Sequence, residues 1–176
     1  MGQYYYAVIL DENGWIRVWM VPGLGIKLME HSYMNNESVG AFEWELTPEG
    51  RHHISRVVWC GDYADAEPGL GKNLHLICKE REDLLLLRYT INNAGGYPFL
   101  VNHTKRQFVN KSKVPKGVEG YQIHPLPLLT CEGNGRGGGD FHGESPLIGS
   151  WARDLISAEK TAPDGFTELA FDLRED

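Results

Sequence analysis

Four residues in or beside a glycine-rich stretch could bind a metal ion. The stretch is LLTCEGNGRGGGDFHG, residues 128–143, and it contains Cys131, Asp140 and His142, while His124 lies on the run that leads into it. Side chains alternate along an extended chain, so Asp140 and His142 would point to the same side. Zinc takes three or four nitrogen, sulfur or oxygen ligands. We therefore predict a zinc ion held by Cys131, Asp140, His142 and His124.

The glycine-rich loop 131–143 has two other interpretations, a phosphate- or nucleotide-binding loop and a flexible connection. A phosphate-binding P-loop needs a Lys and a Ser or Thr after its last glycine, and neither follows here. A dinucleotide fingerprint, GxGxxG, fits Gly133–Gly138 only by choosing among many glycines, and FHGESP behind it cannot propagate a helix well. The remaining interpretation is a flexible connection whose glycines permit turns with positive φ.

Acid–base catalysis needs a carboxylate within reach of a histidine. The chain offers candidates at Asp62, Asp65, His103, Asp140 and Asp154, without a GxSxG or Cys–His pattern to organise them. The corresponding hypothesis is a small metal- or nucleotide-dependent, hydrolase-like enzyme that uses Asp62, Asp140 and His142.

The aromatic residues at the amino terminus indicate a binding surface instead. Three successive tyrosines, residues 4–6, cannot all face one side of a strand, so at least one faces outward. Exposed Tyr and Trp are typical anchors of protein interfaces. Together with the acidic segment GDYAD, they predict an interface that contains Tyr4, Tyr6, Asp62 and Asp65.

Composition restricts the partners. The chain has 176 residues, a net charge of −7 and three widely spaced cysteines, which suits a reducing compartment and a cytoplasmic protein. No basic leader or membrane-length apolar run occurs. A nucleic-acid binder would more often carry a basic face, and we interpret the basic stretch 105–116 as a solvated hairpin edge. We therefore expect a protein partner, without direct contact to nucleic acid or membrane.

The elements that must position these residues are mainly strands. Runs at 3–10 and 15–21 flank an Asn-Gly pair, which predicts a hairpin. Residues 37–50 fit the spacing of either a helix or a strand, and the asparagine before them with Pro48 and Gly50 behind them favours a short helix. A second short helix is predicted over 71–82, a strand over 54–60 and a second hairpin around His103. YQIHPLPLL is predicted to be extended, because of its two prolines. The expected fold is a single α+β domain over 1–176, mainly antiparallel strands and hairpins with two or three short helices.

Several blocks of the chain resemble a known family. MGQYY, GLGIKLMEHS, VVWCGDYAD, VNHTKRQFV, HPLPLLTCEGNGRGGGDFHG and IGSWARDLIS look like those of small proteins from Firmicutes and their phages. Fungal proteins that begin MGQYW are more distantly similar. The family has no established activity, but its mobile-element setting implies an anti-defence role, such as an inhibitor of the anti-CRISPR type.

The hypothesis that joins these observations is a non-catalytic binding protein. It would block a larger, basic, nucleic-acid-processing effector and be stabilised by the zinc ion. The small enzyme described above is the alternative.

Overall fold

One mixed sheet organises the part of the chain that the structure describes. The computed structural model describes residues 2–23, 25–87, 94–133 and 145–174. Its eight strands are β1 (Tyr5–Leu10), β2 (Ile16–Met20), β3 (Ser55–Gly61), β4 (Phe99–Asn102), β5 (Gln107–Asn110), β6 (Cys131–Glu132), β7 (Leu155–Glu159) and β8 (Thr167–Glu168). They lie in the order β2-β1-β3-β7-β4-β5-β8, with β6 beside β3. Only the β3–β6 and β5–β8 pairs among these ranges are parallel.

Four short helices accompany this sheet in the described residues. They are α1 (Leu28–His31), α2 (Glu37–Trp44), α3 (Leu74–Glu80) and α4 (Pro125–Thr130). Short 3₁₀ turns cover Glu82–Leu84, Lys111–Lys113 and Val118–Gly120. The predicted α+β class, with mostly antiparallel strands and short helices, is confirmed. No helix in the described ranges is long and apolar enough to cross a membrane.

The predicted amino-terminal hairpin is confirmed as β1 and β2. The Asp11 carboxylate accepts hydrogen bonds from the backbone N–H groups of Asn13, at 2.8 Å, and Trp15, at 2.9 Å. Gly14 has a φ of +83°, a conformation that glycine adopts without steric penalty. β1 also pairs along its whole length with β3, so hydrogen bonds hold it on both edges.

Strand alternation sends the side chains of β1 and β3 into two separate clusters. Tyr5, Ala7 and Ile9 pack on the face that α2 and α4 cover, where Phe42 meets the Trp59 indole edge-on at 5.0 Å between ring centres. The intervening residues of β1 pack on the opposite face with α3. Residues of β1 and β3 therefore reach both sides of the sheet.

Helix α2 begins directly after Asn36, as the sequence predicts, whereas α3 begins at Leu74, inside the predicted range 71–82. The Asn36 side-chain oxygen accepts hydrogen bonds from Ser38 and Val39 N–H, at 2.9 and 3.0 Å. Asn73 caps α3 by accepting from Leu76 N–H at 3.0 Å. A cap of this kind satisfies N–H groups that have no partner inside the helix.

Helix α4 corrects the prediction of an extended segment over YQIHPLPLL. Pro125 and Pro127 both lie in its first turn, where the missing N–H would have had no intrahelical partner and the fixed φ already suits a helix. The His124 ring caps this turn, because its Nδ1 accepts a hydrogen bond from Leu126 N–H at 3.1 Å. Proline is therefore compatible with this helix because of its position.

His31 is buried as a neutral residue beneath β3. Its Nε2 accepts a hydrogen bond from Trp59 Nε1 at 2.8 Å, and its Nδ1 lies 3.1 Å from the Gly25 carbonyl. These partners require the proton on Nδ1. Burial lowers the pKa of His31 to about 4, because a charged imidazole loses its hydration there.

The buried His31 should make unfolding dependent on pH. The unfolded residue binds a proton below its ordinary pKa near 6.5, whereas the folded residue does so only near 4. Stability contributed by neutral His31 is therefore present above pH 6.5 and lost as pH falls towards 4, by about 3 kcal/mol in total. Chemical denaturation at several pH values measures this loss. His31→Gln can keep both hydrogen bonds but does not titrate. Between pH 6 and pH 5, the free energy of unfolding of this variant should therefore decrease by about 1.4 kcal/mol less than that of the wild type. An unchanged slope in this variant would assign the effect to other groups.

Candidate functional site

An exposed patch lies where β1 begins and β3 ends. We call it the acidic–aromatic surface. It consists of Tyr4, Tyr6, Asp62, Tyr63, Asp65 and Leu76. Because the two strands are antiparallel, the start of β1 and the end of β3 lie side by side at the same end of the strands. Tyr4 N–H donates to Asp62 Oδ1 at 3.0 Å, and Asp62 N–H donates to the Tyr4 carbonyl at 2.9 Å. The structure thus brings together residues that are 58 positions apart.

Three large side chains of this surface are open to solvent. Tyr4 is 41% exposed, Tyr63 49% and Leu76 46%. Asp65 is also exposed, whereas Tyr6 and Asp62 are half-buried. The sequence predicted four of the six residues. It missed Tyr63, although this residue lies between the two predicted aspartates. It also missed Leu76, because the outward orientation of this side chain depends on how α3 packs.

The side chains behind the surface hold it in place. The segment after β3, residues 62–67, is here called the acidic loop. The Asn73 amide donates to the carbonyls of Asp62 and Ala64, at 3.0 and 3.1 Å, and so ties this loop to the start of α3. The His75 ring stacks on Tyr6, with 4.1 Å between ring centres and 2° between planes. Burial, together with nearby Lys79, lowers the pKa of His75 to about 4. A neutral His75 adds no positive charge to the surface, and Lys79 is the cation that lies near it.

The carboxylates of this region differ in their partners. In the ranges that the structure describes, neither Asp62 nor Asp65 forms an ion pair, whereas Glu67 binds Arg153 and Glu80 binds Lys72. The acidic–aromatic surface therefore presents two unpaired carboxylates beside exposed aromatic and aliphatic side chains. This combination suits a partner with both basic and apolar groups.

Arg153 joins the acidic loop to the start of the glycine-rich loop. Its Nε donates to Glu132 Oε1 at 2.7 Å, and its Nη1 donates to Glu67 Oε2 at 3.0 Å. The hydrogen bonds to Glu67, and then those to Glu132, raise the pKa of Arg153 above its ordinary value. Gly133, the next residue, has no room for a side chain, because a Cβ there would collide with the Gln3 carboxamide.

A second feature is a buried ionic triad on the other face of the sheet, formed by Glu43, Lys111 and His124. The Glu43 side chain is 1% exposed; one of its oxygens binds the Lys111 ammonium and the other lies 2.7 Å from His124 Nε2. Burial alone would raise the pKa of Glu43, but the Lys111 ammonium and the hydrogen bond with His124 lower it. The triad connects α2, the turn at 111–113 and the start of α4.

The hydrogen bonds of His124 determine its protonation. Its Nδ1 accepts from Leu126 N–H and therefore carries no proton, so Nε2 carries the proton and donates to Glu43. His124 is thus neutral, and the charges of Glu43 and Lys111 cancel. Sequence reasoning missed Glu43 and Lys111, because their pairing spans 68 positions, and it assigned His124 a different role.

The predicted zinc ligands are only partly within the described residues. His124 and Cys131 lie at opposite ends of α4, and the Cys131 thiol donates to the Leu128 carbonyl at 3.3 Å. Burial raises the pKa of Cys131 to about 12. Asp140 and His142 lie outside the residues that the structure describes, so the zinc site stays a prediction. Within 2–23, 25–87, 94–133 and 145–174, no group of three or more His, Cys, Asp or Glu is arranged to hold a metal ion.

The catalytic candidates His103 and Asp154 are neighbours in the sheet, but their side chains have different partners. His103 Nε2 is 2.7 Å from the buried Ser157 hydroxyl. Asp154 accepts hydrogen bonds from Asn102, at 2.8 Å, and from Lys105. Asp62 belongs to the acidic–aromatic surface, and its predicted companions Asp140 and His142 fall outside the described ranges. The enzyme hypothesis therefore gains no carboxylate–histidine pair from these residues.

Comparisons with known proteins add no relative. A scan against protein-family models, a search of curated proteins and a search of solved structures each returned no match.

The ionic triad should control stability through its balance of charge. Lys111→Met leaves the Glu43 carboxylate buried with only His124 as a donor, and should lower the free energy of unfolding by about 3–5 kcal/mol. Adding Glu43→Leu removes the uncompensated charge and should restore most of that loss. Urea denaturation of the two single variants and the double variant measures the coupling.

Lys113→Met is a matched control, because Lys113 lies in the same turn but pairs with Glu168 at the surface. Exposed pairs contribute about 0–1 kcal/mol. Equal losses of unfolding free energy in Lys111→Met and Lys113→Met would show that the buried triad contributes no more to stability than an exposed ion pair.

Proposed function

We propose that this protein is a non-catalytic binding protein that blocks a basic protein partner through its acidic–aromatic surface. The proposal rests on two carboxylates, Asp62 and Asp65, that form no ion pair within the described ranges, and on the exposed side chains of Tyr4, Tyr63 and Leu76 beside them. Aromatic residues supply most of the energy in many interfaces, while charges select the partner and speed association.

The shape of this region supports binding with little rearrangement. The contacts of Tyr4 with Asp62 and the Asn73 hydrogen bonds fix the start of the acidic loop. The Tyr6–His75 stack fills the space beneath it. A surface that is ordered before binding loses less conformational entropy when the partner arrives.

The expected partner is a nucleic-acid-processing effector. Such proteins hold phosphates with clustered Lys and Arg, and an acidic protein can occupy the same basic surface. The net charge of −7 favours association with such a surface at low ionic strength. Inhibition by occupation is stoichiometric, so one copy of this protein would inactivate one copy of the partner.

A triple variant tests the surface. Asp62→Asn, Asp65→Asn and Tyr63→Ala remove both unpaired charges and one anchor, while the carboxamide introduced at position 62 keeps an oxygen that can accept from Tyr4 N–H. Affinity for a partner isolated with the wild-type protein should fall at least about 100-fold, as for the loss of a central anchor and its charges. Binding is measured by calorimetry at two salt concentrations, and the wild-type affinity should fall as salt rises.

The matched control combines Glu12→Gln, Asp164→Asn and Trp15→Ala. It removes the same charge and one exposed aromatic ring, with Glu12 and Trp15 at the far end of β1 and Trp15 59% exposed. Wild-type affinity in the control together with loss in the first variant supports the proposal. Equal affinity in both variants would place the interface elsewhere, and inactivation of the partner by substoichiometric protein would contradict blocking by occupation.

A further inference from the structure

A small cavity lies beside the ionic triad, at the start of α2; we call it the α2 cavity. Its walls include Met34, Asn36, Gly40, Ala94 and Lys111, and its volume is about 150 Å³. A water molecule occupies about 30 Å³ in the liquid, so a molecule of a few heavy atoms has room there. The cavity shares Met34 and Asn35 with a wider open groove that Tyr33 and Tyr121 also line.

Lys111 brings hydrogen-bond donors to this cavity. An ammonium group has three N–H donors, and in the described residues that of Lys111 binds only the Glu43 carboxylate. Lys111 is 8% exposed, so bulk water cannot surround its other two N–H groups. A buried donor without an acceptor is costly, and the cavity is where an acceptor can reach Lys111.

Asn36 brings a second pair of donors. Its oxygen is oriented by the N–H groups of Ser38 and Val39, which assigns the opposite side of the carboxamide to nitrogen. That nitrogen donates to no group in the part of the chain that the structure describes, and Asn36 is 3% exposed. Asn36 and Lys111 both line the cavity, so their N–H groups can meet one acceptor oxygen.

The other groups of the cavity define the charge of its ligand. Both oxygens of Glu43 and both ring nitrogens of His124 are engaged within the triad or with Leu126. Lys111 and Glu43 cancel in charge, and the exposed Glu37 at the rim disfavours an anion. The side chains of Met34 and Ala94 form an apolar part of the cavity wall. The site therefore suits a neutral molecule with an acceptor oxygen and a short apolar body.

We propose that the α2 cavity binds small neutral carbonyl compounds of the amide or lactam class, with the carbonyl oxygen between Lys111 and Asn36. The apolar part of the ligand lies against Met34 and Ala94. This binding is independent of the acidic–aromatic surface, which lies on the other face of the sheet.

The probe is 2-pyrrolidinone, a neutral lactam, titrated into the ¹⁵N-labelled protein and followed by nuclear magnetic resonance. The backbone amides of Asn36, Gly40 and Lys111 should shift and saturate, with a dissociation constant on the order of 10 mM or below for so small a ligand. Acetate and methylammonium, the anionic and cationic comparisons, should bind at least about tenfold more weakly.

Asn36→Asp provides the sharpest variant. Aspartate keeps the oxygen that caps α2 but has no N–H donors, so the fold should persist while lactam binding weakens at least tenfold. Asn36→Ser, which keeps a cap oxygen without adding charge, should weaken binding in the same direction. Lys111→Met should abolish binding, and Asn36→Asp keeps the test decisive if Lys111→Met fails to fold.

The matched control is Asn110→Asp, which places the same substitution next to Lys111 in sequence, in a residue that caps the 111–113 turn outside the cavity. Wild-type lactam affinity in this control supports the proposal. The proposal is overturned if 2-pyrrolidinone produces no saturable shifts or if acetate or methylammonium binds more tightly. It is equally overturned if Asn36→Asp binds as the wild type does, or if Asn110→Asp weakens binding as much as Asn36→Asp.

Discussion

The pairing of β1 with β3 is the constraint on which the rest of the molecule depends. It sets Tyr6 opposite Cys60 and Val8 opposite Val58, and strand alternation then assigns every side chain of both strands to one of two faces. A shift by one residue would exchange the two faces, moving Ile9 and Trp59 into the cluster against α3 and Val8 into the cluster under α2 and α4. The same pairing places Tyr4 against Asp62, so the position of the acidic–aromatic surface follows from the register of the central strands.

The buried triad adds a second, polar constraint on the helical face. Removing two charges from water is expensive, and hydrophobic residues of similar volume would often stabilise a core as well or better. What the triad provides is specificity, because Glu43 needs donors from two separate segments at once. The turn at 111–113 and the start of α4 therefore have one position relative to α2. This fixed position also keeps open the cavity beside Asn36, since the three segments meet around the carboxylate.

The elements that the sequence predicted are those with local signals. Asn-Gly in a short turn defines the first hairpin, and Asn36 defines the start of α2, because each signal acts within four residues. The cap of α3 at Asn73 is of the same kind, but the predicted range 71–82 did not use it. Helix α4 was wrongly predicted to be extended, because proline disfavours the interior of a helix but is compatible with its first turn, where both prolines lie. The Glu43–Lys111 pair had no local signal at all. Tyr4, Tyr6, Asp62 and Asp65 could be named from their chemistry, but their adjacency requires strand pairing across 58 positions.

The sheet separates the two candidate sites, and this separation has an energetic consequence. The acidic–aromatic surface rests on α3 and the face of Tyr6 and Cys60, whereas the α2 cavity rests on the face of Tyr5 and Trp59. Coupling between two sites requires an element with two arrangements that both sites bias. The central strands between them are hydrogen-bonded on both edges and fully packed, and such a core resists continuous deformation. Occupation of the cavity should therefore stabilise the fold by mass action without changing the geometry that Tyr4 and Asp62 present to a partner.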